Sequence, residues 1–215
     1  MKNKNITSSF EYIDSSHMEH HSVLLPKLEE ILNDVETNLV KTKRMFDLGC
    51  GNGSIANYLN NKGWDVTGVD PSSDGIKQAN LAFPQLKLYN GSTVDNLTDR
   101  FGNFPILISL EVIEHVYAPR DYMSNIYNLL EPGGVAIIST PYHGYLKNLL
   151  ISLFGKMDSH FTALTDGGHI KFWSFKTLTQ LLNEFNFKDI KFYRVGRFHP
   201  SIAKSMIVRF KKPIQ

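Results

Sequence analysis

Cysteine occurs once in the 215 residues, at Cys50. A lone thiol excludes an internal disulfide and fits a reducing compartment, so a cytoplasmic setting is expected. No apolar run approaches the roughly 20 residues that span a bilayer, and the first residues lack the apolar core of a signal peptide. Stable membrane insertion and export are therefore not expected. An excess of one charge is also missing: 23 Lys and Arg stand against 21 Asp and Glu, for a net charge of +2. A nucleic-acid partner usually leaves a basic patch, and the three charges at Arg209, Lys211 and Lys212 read as a solubilising tail. Repeats and low-complexity linkers are absent too, so residues 1–215 read as one domain.

What is present is a soluble, globular composition, 42% apolar and 20% charged, long enough for one α/β domain with ample core. Residues 1–16 are polar. A helix is expected from about Met18 to Asn38, where Leu24, Leu28, Ile31, Leu32 and Val35 recur at helical spacing. From Lys43 onward, strand and helix patterns alternate, the mark of a parallel sheet with right-handed crossovers. Strands are expected near 44–49, 64–69, 86–89, 104–109 and 134–139, with helices near 53–62, 73–82 and 119–130. Ser72 is placed to cap the second of these, and Pro132-Gly133-Gly134 reads as the turn ending the third. The chain divides into a helical cap (1–42), a core (43–140), an insertion (141–173) and a closing helix with two β runs (174–215). The insertion is too long for a plain connection, and such segments commonly act as lids or binding elements.

The core is organised around Phe46-Asp47-Leu48-Gly49-Cys50-Gly51-Asn52-Gly53-Ser54. A buried strand runs into three glycines at every second position and then into a helix. Glycine admits unusual backbone angles and lets a ligand touch the main chain, while the next helix turns its unpaired N–H groups toward that ligand. The dinucleotide fingerprint is G-x-G-x-x-G/A, but here Ser54 takes its third small position. Asp47 precedes the first glycine, where it suits an ammonium better than a pyrophosphate. Asp70 ends the second strand about 20 residues beyond the turn, where a carboxylate can accept ribose hydroxyls. A cationic amino-acid nucleoside fits this pair of acids better than a nicotinamide dinucleotide does.

These residues resemble motif I of the class I S-adenosylmethionine-dependent methyltransferases, and Val66-Thr67-Gly68-Val69-Asp70-Pro71-Ser72 resembles their second motif. Ser109-Leu110-Glu111-Val112-Ile113-Glu114-His115-Val116 resembles the segment after strand four in the ubiquinone-biosynthesis O-methyltransferase branch. The likeness covers residues 44–140 well and the rest less. It implies a Rossmann-like, seven-stranded, mostly parallel sheet with an antiparallel C-terminal hairpin (187–195 and 205–210) and helices on both faces. It also implies S-adenosylmethionine as cofactor, held by Asp47, Gly49, Cys50, Gly51, Gly53, Asp70, Pro71, Leu110 and Glu111. Ser92 and Thr93 stand where the family often has an aspartate for the adenine. His17, His20 and His21 begin the cap helix. They read either as a solvated or capping cluster or, for His20 or His21, as a contact to the cofactor's carboxylate or to the substrate.

Methyl transfer needs the acceptor held in line and close, and an alcohol or phenol must also lose its proton. Glu111, Glu114 and His115 are the catalytic candidates, on one face if their segment is helical. His115 reads as a general base oriented by a carboxylate. Alternatively the three hold a divalent cation, or Glu114 and His115 close the cofactor pocket by hydrogen bonds. Tyr142, His143, Tyr145, His160, Phe161, His169, Phe172 and Trp173 lie on the acceptor side. They suit a flat or apolar acceptor, aromatic or quinol-like, or form a small core of the insertion. A helix over 146–157 reads as a lid. Ser109-Leu110-Glu111 lacks the Asn/Asp-Pro-Pro-aromatic motif of nucleobase amino methylation. Cys50 lies outside the place a cytosine-methylating nucleophile occupies, so DNA modification is not expected. The glycine corner, the two acids and the Glu-x-x-Glu-His segment make methyl transfer to a small acceptor, at oxygen, the expected activity. A nicotinamide-dependent oxidoreductase and a non-catalytic cofactor-binding partner are the alternatives. The acceptor's identity and the oligomeric state are not legible.

Overall fold

The computed structural model describes residues 12, 14–16, 21–38, 42–93, 95–196 and 203–214. The element order is α1 (His21–Asn38), β1 (Arg44–Leu48), α2 (Ser54–Asn61), β2 (Asp65–Asp70), α3 (Ser73–Ala82), β3 (Lys87–Asn90), α4 (Leu97–Phe101), β4 (Phe104–Leu110), a 3-10 turn (Ile113–His115), α5 (Pro119–Leu129), β5 (Leu130–Pro141), α6 (Tyr145–Leu153), α7 (Met157–Phe161), α8 (Phe175–Glu184), β6 (Lys188–Val195) and β7 (Ser205–Lys211). The seven strands lie in the order β3-β2-β1-β4-β5-β7-β6. β1 to β5 pair in parallel, and β7 runs antiparallel between β5 and β6. This is the doubly wound sheet expected, with its closing hairpin.

Strand alternation sorts the core into two layers. Side chains point to opposite faces in turn, so Met45, Ile106, Ile108, Val135, Ile137 and Ile207 meet the apolar stripes of α1, α2 and α3 on one side. Their neighbours Phe46, Leu107, Ala136, Ile138 and Val208 meet Tyr122, Met123 and Ile126 of α5 and Leu178 and Leu182 of α8 on the other. Arg209 on β7 pairs with Asp34 on α1 at 2.7 Å and ties the first helix to the hairpin. Ser72 caps α3 through the Gly75 N–H. No helix among the described residues is long and apolar enough to cross a membrane.

Three local expectations change. Pro132-Gly133-Gly134 does not separate helix from strand: β5 begins at Leu130, opposite Phe104, and the three residues bulge out before Val135 pairs with Ile106. Gly133 carries the positive φ of 78° that this bulge needs. The single helix expected over 146–157 is two, α6 and α7, because the chain turns at Gly155 with φ 61°. The short α4 has too few residues to show a helical period, and the sequence pattern did not reveal it.

Candidate functional site

The parallel strands place their carboxyl ends at one edge, where the order reverses between β1 and β4, and an open α/β sheet binds ligands at such a point. β1 ends in the glycine turn. Gly49 has φ 89°, and a Cβ there would meet Val112 Cγ2 at 2.4 Å, so only glycine lets the two segments approach. The Gly49 and Cys50 N–H groups both donate to the Val69 carbonyl, at 2.8 and 3.0 Å. Gly53 then caps α2 in the left-handed conformation.

Two acids stand behind the turn. Asp70 accepts from the Gly51 N–H at 2.9 Å and from the Ser72 N–H at 2.8 Å, one on each oxygen. Burial raises its pKa against these two donors, which lower it. Asp47 is only 3% exposed, and among the described residues its Oδ2 has no hydrogen-bond partner. Burial, and then Asp70, push its carboxyl up to about 8. Cys50 is buried in the turn, and burial with the two acids raises its thiol well above the usual value, so it fills space rather than reacts.

Tyr12 and residues 14–16 are strapped over the turn. Asn52 Nδ2 donates to the Asp14 and Ser16 carbonyls at 2.7 and 3.0 Å, and Gln78 Nε2 donates to the Tyr12 carbonyl at 2.7 Å. The Tyr12 ring lies against the turn: a Cβ on Gly51 would come within 2.3 Å of its hydroxyl, and one on Gly75 within 2.8 Å of its ring. Burial and the nearby acids raise the Tyr12 hydroxyl's pKa.

A second cluster follows β4. Glu111 has φ 55°, a strained conformation for a residue with a side chain. Ser139 on β5 holds it there: the Glu111 N–H donates to the Ser139 carbonyl and hydroxyl oxygens at 3.1 and 2.9 Å, and the Ser139 hydroxyl donates to Glu111 Oε1 at 2.8 Å. Burial pushes Glu111 up to about 7. Glu114 is fully buried, and among the described residues neither carboxyl oxygen has a hydrogen-bond partner. Its pKa is raised well above the usual range by burial and by Glu111. His115 Nδ1 lies 2.8 Å from the Gly167 carbonyl. Because a carbonyl only accepts, Nδ1 carries the proton and Nε2 is left with a lone pair. Burial lowers its pKa. The Ile170 and Lys171 N–H groups donate to the Glu114 carbonyl at 2.9 and 3.0 Å, which brings the end of the insertion back to the site. His169 Nε2 thereby lies 4.0 Å from Glu114 Oε1, and its ring centroid is 4.9 Å from that of His115. One ligand atom each from Glu114, His115 and His169 falls within 4.8 Å of the others.

A family profile described as a methyltransferase domain matches residues 9–191. The chain belongs to the methyltransferase family. It is 35% identical over 103 residues to a ubiquinone biosynthesis O-methyltransferase of Roseobacter denitrificans, covering 46% of this chain and 42% of the relative. Against the enzyme of the same name from Rickettsia bellii it is 32% identical over 151 residues, or 64% and 62% of the two chains. The matches span between 40% and 62% of the curated relatives' own length. The fold is shared with a solved protein of Pyrococcus horikoshii, with a TM-score of 0.69 at 20% identity over 94% of each chain.

Within this methyltransferase fold, several expected positions take unexpected settings. Glu111, Glu114 and His115 do not share a helical face: Glu111 is left-handed and only Ile113–His115 make a single 3-10 turn. His169 joins Glu114 and His115, while Glu111 turns to Ser139. The Gly167-Gly168 turn before His169 was the available signal for that return. A backbone carbonyl, rather than a carboxylate, orients His115. The half-buried Ser92 donates its N–H to Asp95 Oδ2 at 2.6 Å, the Pro71 carbonyl accepts from Asn90 Nδ2 at 3.2 Å, and Leu110 is half-buried at the tip of β4. His17 and His20 lie outside the described residues, and His21 is buried. Asn52, which anchors the 12–16 segment, had no sequence signal beyond its place in the turn. Two shallow concavities, of about 340 and 200 Å³, lie beside Thr162–Thr165 and Phe172–Trp173 rather than at the strand tips.

Proposed function

We propose that the chain is an S-adenosylmethionine-dependent methyltransferase acting at an oxygen of a small-molecule acceptor. The observation that carries this reading is the buried Asp47 carboxyl with an unpartnered oxygen, beside Asp70 and the glycine turn. An uncompensated buried polar atom costs about 1–3 kcal/mol, and a ligand ammonium is the group that offsets it at this place. When bound, the cofactor supplies an electrophilic methyl group on its sulfonium. Asp47 would receive the ammonium, and Asp70 would offer its remaining lone pairs to the ribose hydroxyls. Isothermal titration with S-adenosylhomocysteine tests this: micromolar binding is expected, and no measurable heat with either the homocysteine or the methionine form overturns it.

The acceptor side fits a divalent cation. Glu114 has two unpartnered, fully buried oxygens, and His115 presents Nε2 as an acceptor. One carboxylate and two imidazoles suit a borderline to hard ion. Held by Glu114, His115 and His169, such an ion supplies Lewis acidity that lowers the pKa of an acceptor hydroxyl. A second reading rests on the same tautomer: His115 Nε2 accepts the hydroxyl proton directly, as general base. Chelation separates the two. Activity lost in EDTA and restored by magnesium or manganese supports the cation; full activity in excess EDTA leaves His115 as the base. The relatives' activity as ubiquinone biosynthesis O-methyltransferases suits a phenolic or quinol-like acceptor. The rings of His143, Phe161 and Phe172, packed edge to face in the insertion, support an aromatic one.

A further inference from the structure

Gly75 is the third residue of α3 and is not among the glycines with a positive φ. Its backbone would suit any residue, and glycine weakens a helix relative to alanine. The space beside it accounts for its presence. A Cβ there would meet Tyr12 Cδ2 at 2.8 Å and Cε2 at 3.0 Å, and the Gly51 carbonyl oxygen at 3.2 Å. On the other side, a Cβ on Gly51 would meet Tyr12 Cζ at 2.8 Å and Cε1 at 3.1 Å. Two missing side chains make a slot, and the Tyr12 ring fills it.

The occupant is held by its main chain. Gln78, on the same helix as Gly75, donates from Nε2 to the Tyr12 carbonyl at 2.7 Å. Asn52 donates to the Asp14 and Ser16 carbonyls, and its own Oδ1 accepts from the Ser54 N–H at 3.2 Å. These ties grip carbonyl groups, so the chain can keep its place while the ring turns about χ1 to another rotamer. The hydroxyl end of the ring rests on Gly51, whose N–H donates to Asp70. After burial, Asp70, Cys50 and Asp47 are the groups that raise the pKa of this hydroxyl. The phenol thus stands beside the two acids assigned above to the ribose and the ammonium.

Resting on the methyltransferase reading, we propose that Tyr12 is a built-in competitor of the cofactor. Its phenol fills the place beside Gly51 and Asp70 that the ribose takes, and the ring leaves the slot when the nucleoside binds. The apparent affinity is then the intrinsic affinity reduced by the fraction of molecules whose slot is open. Tyr12 covers the acid pair until a ligand arrives, and it sets how tightly the donor and its demethylated product are held.

The experiment measures S-adenosylhomocysteine affinity by calorimetry on the full chain, as wild type, Tyr12→Ala, Gly75→Ala and the double variant. Tyr12→Ala removes the competitor. Gly75→Ala evicts it without touching Tyr12, by setting a Cβ in the ring's space at a helical position that alanine favours. Each single variant is expected to bind at least about fivefold more tightly than wild type. The double variant should bind no more tightly than Tyr12→Ala, because with the ring gone the added Cβ has nothing to displace. If Tyr12→Ala does not fold, the sign of the change in Gly75→Ala decides. Weaker binding by Tyr12→Ala would make the ring a wall of the cofactor site. Affinities within about twofold of wild type would place the ring outside the ligand's path. Gains that add in full in the double variant would show two separate effects. Each of these results overturns the proposal. Failure of wild type and all variants to bind would overturn the methyltransferase reading itself, and the proposal with it.

Discussion

The glycine corner and the 141–173 insertion meet at one edge of the sheet, and they are built on opposite terms. In the corner, backbone and carboxylates hold each other: Gly49, Cys50, Gly51 and Ser72 all give their N–H groups to Val69 or Asp70. In the insertion, neither α6 nor α7 has a buried residue, and Thr162 turns the chain at φ 43°. The first region is fixed before any ligand arrives, as an invariant nucleoside requires. The second is anchored near where it leaves and returns, by the His143 N–H on the Trp173 carbonyl, by the Lys147 ammonium on the Lys204 carbonyl, by His115 on the Gly167 carbonyl and by the Ile170 and Lys171 N–H groups on Glu114. A site can therefore hold one half rigid and leave the other free to differ, because the methyl donor and the acceptor make separate demands on the chain.

The strongest way to break this contrast is to remove the carboxylate that stiffens the corner. Asp70→Ala leaves two buried N–H groups without acceptors, at about 1–3 kcal/mol each. The expected result is a loss of about a hundredfold or more in S-adenosylhomocysteine affinity by calorimetry, with a clear fall in Tm. Affinity kept within about threefold would mean that the turn is stiff without Asp70. The next effect in size sits between the two regions. Glu111→Gly removes a side chain from a left-handed position that glycine occupies without strain. It also removes a buried carboxyl whose pKa is raised to about 7. A raised folded-state pKa gives stability that is present at low pH and lost as pH rises through 7. The variant should therefore be no less stable than wild type at pH 8, while its transfer rate drops about a hundredfold. A matched loss of stability and rate would make Glu111 structural.

Legibility followed the same division. The corner could be read because its requirements are local: glycine at every second position and an acid at the end of each strand each leave a mark in a few neighbouring residues. The seven strands were likewise spelled out by apolar runs such as Ile106–Ile108 and Ile137–Ile138. The second cluster could not be read in full, because it depends on a contact over 50 residues in sequence, from the Gly167 carbonyl to His115. Spacing alone would put Glu111 on one face with Glu114 and His115 if the segment were helical. The left-handed turn at Glu111 sent that side chain to Ser139, and the return of the insertion set His169 in its place. Pro132–Gly134 misled for a related reason: a glycine pair serves a bulge inside a strand as well as it serves a turn.

A subtler test sharpens the account of the corner. Asp47 is held neutral by burial up to about pH 8 in the ligand-free state, against about 3.9 unfolded. Its contribution to stability is thus full below pH 4 and is lost as pH climbs to 8. Asp47→Asn should raise the Tm of the ligand-free protein at pH 8 by about 2–4 °C, the shift for 1 kcal/mol in a chain of this size, and weaken cofactor binding about tenfold. In the wild type, an arriving ammonium should expel a proton from Asp47 at pH 7. Binding heats should then differ between buffers of high and low ionisation enthalpy, and that difference should vanish in the variant. Identical heats in both buffers for the wild type would mean that Asp47 is already ionised.

The smallest effects belong to the outer face of the insertion. Leu149 on α6 is 46% exposed and Ile108 on β4 is fully buried. Removing the Ile108 side chain to alanine should cost about 2–5 kcal/mol. A polar residue in place of Leu149 should change stability by no more than about 0.5 kcal/mol, hence Tm by about 1–2 °C. Hydrogen exchange makes the same comparison without a variant: amides in 145–161 have few buried neighbours to protect them and should exchange through local opening, well before those of β1 and β4. Protection in α6 equal to that of the central strands would show that its outward leucines are covered in solution, and the division of the site into a rigid half and a loose one would fall.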